Sequence, residues 1–239
     1  MKLFAGKVAL VTGASRGIGR AIALELGAAG CAVALAARGE ARLRAVADEV
    51  ENQGGECLMV PADLSRDADM HRVVEATLQR WGAVDYLINN AGWGKKASIL
   101  KGNVEDWDQT FQVNLRAPMV LAKLVLPAMM AKAAGAIINI GSVSAKAGQA
   151  NVAAYSASKF GLLGFTESLF EEVREHGIKV CAIHPGYVDT PLIPQSAKLD
   201  RQKMIRPEDV ARAVVFVLTS SPTCCPVDIT IRPQQSPYL

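Results

Sequence analysis

Seven short apolar runs alternate with helical patterns along this chain, and that alternation constrains its fold most strongly. The apolar runs lie at residues 7–12, 31–37, 56–60, 84–89, 136–141, 179–184 and 227–231. Helical patterns lie between them, at residues 17–29, 40–53, 66–81, 104–132, 153–176 and 206–219. Continuously apolar strands are typical of a sheet covered on both faces, and parallel strands need crossover helices. The sequence therefore predicts an α/β protein with a doubly wound, seven-stranded parallel sheet.

Length and composition narrow the class of protein further. The chain has 239 residues, of which 50% are hydrophobic and 5% aromatic, and its formal net charge is +3. This aliphatic composition excludes disorder and suits close helix–sheet packing. The small net charge does not indicate the clustered basic surface that is typical of nucleic-acid-binding proteins. Because no linker, repeat or low-complexity tract divides the chain, we expect a single domain over residues 1–239.

Membrane insertion and secretion are not predicted. The longest apolar stretches are residues 28–37 and 117–131, and the second contains Lys123 and Pro127. Both are shorter than the ~20 residues that a membrane helix needs. The first apolar run ends at Thr12-Gly13, which is too early for a secretory signal. We therefore expect a cytoplasmic protein.

The five cysteines lack the paired spacing of metal ligands, so we expect reduced thiols and no metal site. Cys31, Cys57 and Cys181 lie in strand-like runs and are expected to be buried. The neighbours Cys224 and Cys225 could form a redox pair, but adjacent residues are poorly placed to close a relaxed disulfide. Two ordinary thiols beside the last strand are the favoured interpretation.

A glycine-rich turn follows the first apolar run and precedes a helix. Its sequence is Thr12-Gly13-Ala14-Ser15-Arg16-Gly17-Ile18-Gly19. Glycines at such a turn let the main chain approach a pyrophosphate closely, and the amides and dipole of the following helix attract the anion. We therefore expect a dinucleotide to bind at this end of the sheet.

The end of the second run discriminates between dinucleotides. A carboxylate is common at this position when the ligand is NAD, whereas here the run ends Ala36-Ala37-Arg38. Arg38 can pair with a 2′-phosphate through two hydrogen bonds, and Arg16 can approach the same phosphate. Glu40 is expected to begin a solvated helix. The sequence predicts NADP(H) in preference to NAD(H).

Tyr155, Lys159 and Ser142 form a candidate catalytic group. Tyr155 and Lys159 are four residues apart in a helical pattern, which places them on one face, and Ser142 ends the fifth apolar run. A tyrosine near its ordinary pKa of ~10 is almost entirely protonated at neutral pH, and a nearby ammonium lowers that pKa. Such a tyrosine can exchange a proton with an alcohol or carbonyl, while the serine hydroxyl binds the oxygen on which charge develops.

These motifs together resemble the short-chain dehydrogenase/reductase family, and in particular its 3-oxoacyl reductases and related broad-specificity carbonyl reductases. The resemblance extends to residue 220 and includes, in order, Thr12-Gly-x-x-x-Gly-x-Gly19, Asp63, Asn89-Asn90-Ala91-Gly92, Asn114, Ser142, Tyr155-x-x-x-Lys159 and Pro185-Gly186. It implies a Rossmann-type three-layer sandwich. It also implies that Tyr155 is the general acid/base and Ser142 the ligand of the substrate oxygen. Lys159 would lower the tyrosine pKa and hold the nicotinamide ribose, and Asn114 would anchor a water of a proton relay.

The resemblance also implies a set of residues that contact the cofactor. They comprise the glycine turn, the adenine contacts, the strand-end loop, the two catalytic residues and the nicotinamide loop: Gly13, Ser15, Arg16, Gly17, Ile18, Gly19, Arg38, Asp63, Leu64, Asn90, Ala91, Gly92, Tyr155, Lys159, Pro185, Gly186, Val188 and Thr190. The Asn89-Asn90 pair is also expected to brace the strand end through side-chain hydrogen bonds.

The substrate side is less determined by the sequence. Residues expected to face the substrate are Ser142, Trp93, Gly94, Val143, Ser144, Gln149, Tyr155 and Tyr187, with a short lid at 192–203 inside the segment 190–206. Lys95-Lys96 could attract an acidic acyl carrier, although an ordinary solvated loop is favoured. The ending Val227-Asp-Ile-Thr-Ile-Arg-Pro233 lacks the glycine-rich tail of typical 3-oxoacyl reductases, so the substrate stays open.

The leading hypothesis is an NADPH-dependent oxidoreductase that interconverts a small ketone, or a 3-oxoacyl thioester, and the secondary alcohol. The alternative is a catalytically idle dinucleotide-binding sensor or scaffold, and a methyltransferase with a similar glycine loop is a third class. Apolar helices at 104–132 and 153–176 predict a homodimer or homotetramer, as is common in the family.

Overall fold

The computed structural model describes residues 2–193 and 195–238. The strands are β1 Val8–Thr12, β2 Ala32–Ala37, β3 Glu56–Pro61, β4 Tyr86–Asn89, β5 Gly135–Ile140, β6 Ile178–Pro185 and β7 Asp228–Ile231. The α-helices are α1 Gly17–Ala28, α2 Glu40–Asn52, α3 Asp67–Trp81, α4 Val104–Phe111, α5 Ala117–Lys132, α6 Ala153–Val173 and α7 Pro207–Thr219. Each strand is therefore connected to the next by at least one α-helix, and the connection from β6 to β7 also contains the 190–206 segment before α7.

The strands form one seven-stranded sheet in the order β3-β2-β1-β4-β5-β6-β7, and all pairs are parallel. In the middle of the sheet, Leu10 of β1 pairs with Ala34 of β2 on one side and Leu87 of β4 on the other. The chain runs outward from β1 to β3 and then returns to β4, so the strand order reverses between β1 and β4. Ligands bind at such a reversal, outside the carboxyl ends of the strands. The predicted fold class is confirmed.

Helices cover both faces of the sheet, which explains the continuously apolar strands. One core cluster contains side chains of α1, α2 and α7, among them Ile22, Leu43 and Val214. The other contains side chains of α3, α5 and α6, among them Met70, Leu121 and Leu169. Every residue of β1 is buried because both clusters meet at the sheet. This rigid scaffold fixes the position of each strand end.

The segment Val104–Lys132 departs from the regular helix that the sequence predicts. A π-helical turn, Gln112–Arg116, separates α4 from α5. The whole segment is long and apolar enough to cross a membrane by composition, with a mean hydropathy of 1.3 over its most apolar window. Its α5 part instead packs in the core through Ala117, Leu121 and Val125. It is therefore a core helix of the fold.

All five cysteines are free thiols. Cys31 and Cys181 are buried, as predicted, and burial raises the pKa of the Cys31 thiol to about 12. The prediction that Cys57 is buried is wrong, since it lies on β3 at the edge of the sheet and is only partly covered. Cys224 is exposed and Cys225 is half-buried. No group of three or more His, Cys, Asp or Glu side chains within the described residues is gathered as a metal site would require.

Candidate active site

The glycine turn packs tightly against the loop that follows β4. Gly13 and Gly17 have positive φ angles of 64° and 56°, which side chains disfavour. A Cβ on Gly13 would lie 2.8 Å from the side-chain nitrogen of Asn90, and one on Gly19 would lie 2.4 Å from it. Gly13 is therefore required by close packing as well as by its backbone angle, and Gly19 is required by close packing.

Asn90 holds this turn in place. Its side-chain amide donates to the carbonyl oxygens of Thr12 at 2.9 Å and Gly13 at 3.3 Å. The Thr12 hydroxyl in return accepts from the backbone amides of Asn90 and Ala91, at 2.9 and 3.0 Å. The predicted bracing of the strand end is thus present. It occupies the side-chain donors of Asn90, so what remains to face a ligand at 90–92 is chiefly backbone.

The N-terminus of α1 is arranged to receive an anion. Arg16 occupies the N-cap position in extended conformation, and no side chain in the described structure caps the helix. The first turn contains no acidic residue. The amides of Gly17, Ile18 and Gly19 are therefore not used by the protein's own side chains, and the helix dipole favours negative charge beside them. These residues fit the pyrophosphate that the sequence predicts.

Arg16 lies in the glycine turn and Arg38 directly follows β2, and these two backbone segments meet at this end of the sheet. The amide of Ala14 donates to the carbonyl of Ala36 at 3.3 Å, which holds the glycine turn beside the end of β2. Both arginine side chains are exposed. Glu40 lies in the first turn of α2, as predicted, where the helix dipole stabilises a carboxylate. The strand end thus presents cations and no carboxylate of its own.

The predicted adenine contacts lie at the end of β3. One carboxylate oxygen of Asp63 accepts from the amide and the hydroxyl of Ser65, at 3.1 and 2.8 Å, which fixes the side chain. The Asp63 amide donates to Asp69 at 2.7 Å. The Leu64 side chain is buried in the core. Leu64 could therefore contact a ligand through its backbone only.

Ser142, Tyr155 and Lys159 come together beyond the carboxyl end of β5. Ser142 caps a short 3₁₀ turn, Val143–Ala145, and its hydroxyl oxygen accepts from the Ser144 amide at 3.1 Å. Tyr155 lies in the first turn of α6, and Lys159 lies one turn further along. Lys159 is 3% exposed and donates to the carbonyl of Ile140 at 2.8 Å. Its ammonium nitrogen is 5.8 Å from the centre of the Tyr155 ring.

Burial dominates the ionisation of this group. It raises the pKa of the Tyr155 phenol, and a hydrogen bond with Ser142 opposes the rise. It lowers the pKa of Lys159 to about 8. The direction for Tyr155 is opposite to the lowering predicted from the sequence, because withdrawal from water disfavours the phenolate. In the protein alone, Tyr155 is a neutral phenol at physiological pH.

Asn114 lies in the π-helical turn and joins two parts of the site. Its side-chain oxygen accepts from the Trp93 amide at 2.8 Å, and its nitrogen donates to the Trp93 carbonyl at 2.8 Å. The same nitrogen donates to the Ser158 hydroxyl at 3.0 Å, and Ser158 donates to the Tyr155 carbonyl at 2.7 Å. Asn114 therefore fixes the loop after β4 to the start of α6. π-Helical turns are often found at functional sites, but this one was not predicted.

The predicted nicotinamide loop leaves the end of β6. The Gly186 amide donates to the carbonyl of Ile231 on β7 at 2.8 Å, which anchors the loop to the edge strand. Val188 and Thr190 are buried. A Cβ on Gly17 would lie 3.0 Å from the Thr190 methyl group. This contact brings the glycine turn and the predicted nicotinamide loop together.

An arginine that the sequence analysis missed secures this loop. Arg201 donates to Asp189 at 2.7 Å and to the carbonyls of Thr190 and Ile193 at 2.9 and 3.1 Å. Arg206 donates to the other carboxylate oxygen of Asp189 at 3.1 Å. Isolated arginines twelve or more residues away carry no local signal of such pairing. The predicted lid at 192–203 includes Pro194, which lies outside the described residues.

The predicted substrate-facing residues are placed unequally. Trp93 is half-buried and Gln149 exposed, whereas the Ser144 side chain is buried, so Ser144 contributes chiefly its amide. A Cβ on Gly94 would lie 2.9 Å from the Tyr155 ring. Tyr187 forms a hydrogen bond to Tyr238 and stacks edge-on with it at 5.4 Å between ring centres. The sequence did not predict that the C-terminal segment contacts Tyr187 through Tyr238.

The lid lines a cleft and is contacted by the C-terminal segment. The Asp200 amide donates to the carbonyl of Pro237 at 2.8 Å, so the C-terminal segment packs against the lid. A cleft of about 380 Å³ is lined by Gln195, Ser196, Ala197, Leu199 and Arg201.

Lys95 forms an ion pair with Asp106 at 2.9 Å, and Lys96 is exposed. The pairing of Lys95 favours the ordinary surface loop over a site for an acidic carrier.

Comparison with known proteins settles the family. The family model described as short chain dehydrogenase matches residues 7–200. The chain belongs to the short-chain dehydrogenase family. It is 34% identical over 233 residues to an uncharacterised oxidoreductase of Staphylococcus aureus (strain MRSA252), covering 98% of this chain and 100% of that protein. An uncharacterised oxidoreductase of Staphylococcus epidermidis (strain ATCC 35984) is also 34% identical, over 95% of this chain and 97% of the relative.

Two solved structures are similar to this short-chain dehydrogenase in both sequence and fold. A metagenomic short-chain oxidoreductase in complex with NADP is 37% identical, with a TM-score of 0.86, over 98% of this chain and 99% of that one. A variant of actinorhodin polyketide ketoreductase with NADPH is 32% identical, with a TM-score of 0.90, over 95% of this chain and 96% of that one. The resemblance found in the sequence is therefore confirmed, and the protein is an oxidoreductase of this family.

Proposed function

We propose that this short-chain dehydrogenase is an NADP(H)-dependent carbonyl reductase that interconverts a ketone and the secondary alcohol. The observation that carries the proposal is the meeting of Ser142, Tyr155 and Lys159 at the end of β5, on the same sheet edge as the glycine turn. Bound NADPH supplies the hydride. The chain's own residues would orient the carbonyl and deliver the proton that balances the reaction.

The proton is assigned to Tyr155. In reduction, the phenol donates its proton to the carbonyl oxygen as that oxygen gains charge, and Ser142 donates a hydrogen bond to the same oxygen. The raised pKa of Tyr155 favours the phenol, which is the form that reduction requires. In oxidation, the phenolate must accept a proton from the alcohol, and the Lys159 ammonium stabilises it electrostatically. We propose that Lys159 also holds the nicotinamide ribose and that Asn114 supports the relay of protons to solvent.

Several features support NADP(H) over NAD(H). Arg16 and Arg38 are exposed beside the phosphate cradle, and guanidinium groups pair with a phosphate through two hydrogen bonds. The end of β2 offers no carboxylate that would repel a 2′-phosphate. The two solved relatives were determined with NADP or NADPH. We therefore assign the 2′-phosphate to Arg38, with Arg16 as its second ligand.

The substrate is assigned only as a small ketone or a 3-oxoacyl thioester. One solved relative is a polyketide ketoreductase, which favours an oxygenated acyl chain. The short lid and Tyr187 then set the size that is accepted. We further propose one cytoplasmic domain that forms a homodimer or homotetramer. The exposed apolar side chains of Phe111, Met119 and Phe160 on the outer helices support that assembly.

A panel of ketones tests this function. Purified protein is mixed with NADPH and, in turn, 3-oxoacyl thioesters, α-diketones, quinones and steroid ketones, and the loss of NADPH absorbance is followed. Turnover of at least one member with NADPH, and slower turnover with NADH, is the expected result. Tight NADPH binding with no turnover of any member would favour the idle sensor instead. Binding of a methyl-donor nucleotide in place of NADPH would favour the methyltransferase class.

A further inference from the structure

The position of Ser142 is not fixed by the sheet itself. The last residue pair between β5 and β6 is Ile140 with Ile183, and the Gly141 amide makes the final ladder bond, to the Ile183 carbonyl at 2.7 Å. Ser142 lies one residue beyond that bond. A serine that must direct its hydroxyl at a reacting oxygen needs another means of support there.

His184 on β6 provides a contact at this point. It is 1% exposed, and its Nδ1 atom lies 3.1 Å from the Ser142 carbonyl oxygen. A carbonyl oxygen can only accept, so Nδ1 carries the proton. The same carbonyl accepts from the Ala145 amide at 2.8 Å. Both lone pairs of the Ser142 carbonyl are therefore engaged.

Gly141 is shaped to the imidazole. A Cβ at this residue would lie 2.4 Å from Nδ1 and 2.7 Å from the neighbouring ring carbon of His184. Any larger residue would displace the ring from the Ser142 carbonyl. The glycine immediately before the catalytic serine and the histidine on the next strand are therefore a matched pair.

The other nitrogen of the ring has a distinctive environment. Nε2 is buried and has no hydrogen-bond partner in the described part of the chain. The nearest carboxylate oxygen belongs to Asp228 on β7, at 3.9 Å, and Lys146 holds the other oxygen of Asp228 at 2.6 Å. Burial lowers the pKa of His184, with Lys146 and Lys159 acting in the same direction and Asp228 and Ser142 opposing. His184 is therefore neutral at pH 7, with its proton on Nδ1.

We propose that His184 is a positioning residue that acts through Ser142: its Nδ1–H group holds the Ser142 carbonyl and so directs the serine hydroxyl towards the substrate oxygen. Lys159 holds the carbonyl of Ile140, two residues before Ser142, from the side of α6. Donors from two elements thus fix the carbonyl of the last residue of β5 and that of Ser142 just beyond it. The inference rests on the proposed function, because that function gives the Ser142 hydroxyl its task.

Three substitutions separate the hydrogen bond from the volume of the ring. His184→Asn places an amide nitrogen near the position of Nδ1 and keeps the donor. His184→Gln places its nitrogen near Nε2, directed at Asp228, and His184→Leu fills the space with no donor. We expect kcat to fall about 10- to 100-fold in the Leu and Gln variants, because a small misplacement of a catalytic group has effects of this size. The Asn variant should stay within about threefold of wild type, and the Kd for NADPH within about twofold in all three.

Two kinetic outcomes would overturn the proposal. One is a Leu or Gln variant with wild-type kcat, and the other is an Asn variant as slow as the Leu variant. Thermal unfolding of each variant identifies any that fails to fold. If the Leu variant does not fold, the comparison of the Gln and Asn variants still tests the proposal. A purely structural role would lower stability in all three without rescue by Asn.

A second measurement does not depend on activity. Nitrogen-15 NMR of the three histidines, with His184 assigned by its absence in the Asn variant, reports which ring nitrogen is protonated. The Nδ1–H form at neutral pH is expected, and the Nε2–H form would overturn the hydrogen bond to Ser142. If wild-type protein reduced no ketone, the proposed function would fail, while this spectrum would still decide the bond itself.

Discussion

The buried ammonium of Lys159 should make stability depend on alkaline pH, and Lys159→Met isolates that dependence. Lys159 is 3% exposed, and burial lowers its pKa from 10.5 to about 8. Because the folded protein binds this proton less tightly than the unfolded chain, charged Lys159 destabilises the fold below pH 8. The destabilisation declines as the pH rises from 8 to 10.5, where the unfolded chain retains a proton that the folded protein has lost.

The magnitude follows from the two pKa values. Each unit of difference corresponds to ~1.4 kcal/mol, so the full effect is about 3 kcal/mol. Between about pH 7 and about pH 9.5, the linkage relation gives a gain of about 2 kcal/mol for wild type. Lys159→Met removes the titrating group and leaves every other one in place. It also leaves the Ile140 carbonyl without its donor, a cost that does not change with pH.

Urea unfolding followed by tryptophan fluorescence measures the effect at both pH values. The free energy of unfolding of wild type, relative to Lys159→Met, should rise by about 2 kcal/mol from the lower to the higher pH. Lys123→Met, which replaces an exposed lysine on α5, is the matched control and should change in parallel with wild type. If wild type and Lys159→Met also change in parallel, then the ammonium is not buried as described and the reasoning is refuted.

Three further predictions test the cofactor cradle and the C-terminal contact. Arg38→Asp should weaken NADPH binding by about 10- to 100-fold and NADH binding by less than about threefold; equal weakening in a fluorescence titration would remove Arg38 from the 2′-phosphate site. Gly13→Ala should lower the free energy of unfolding by about 1–3 kcal/mol, because of its positive φ and its contact with Asn90, whereas the open position Gly39→Ala should not; equal melting temperatures would contradict this. Tyr238→Phe should lower the pKa of Tyr187 from about 12, since their hydrogen bond is the largest cause of the rise; a Tyr187 pKa that stays at about 12 in an alkaline absorbance titration would contradict the contact.

The sheet could be predicted from the sequence because strands that are buried on both faces are continuously apolar. Each residue of β1 is buried, and each is apolar except Thr12, whose hydroxyl bonds the Ile88 carbonyl. The parallel arrangement and the helices between strands followed from that pattern. Cys57 shows the limit of this kind of prediction, because an apolar run does not indicate whether a strand lies in the middle of the sheet or at its edge.

The site could be predicted only where its residues form local motifs. The glycine turn and the Tyr155–Lys159 spacing are local, whereas the bonds of Arg201 to Asp189 and of Tyr238 to Tyr187 join residues distant in the sequence. The π-helical turn around Asn114 changes the helical period for one turn, which no hydrophobic pattern of that length can record. The direction of the Tyr155 pKa shift required the actual burial, which spacing does not give.

The central claim is that Tyr155 exchanges the proton that accompanies hydride transfer, and Tyr155→Phe tests it most directly. The change removes one hydroxyl and keeps the ring against Gly94. NADPH-dependent reduction of the best ketone should fall by at least about 100-fold in kcat, the range expected for loss of a general acid. The Kd for NADPH, measured by fluorescence on the same sample, should stay within about twofold of wild type. A variant that binds NADPH normally and reduces the ketone within about twofold of the wild-type rate would contradict the account.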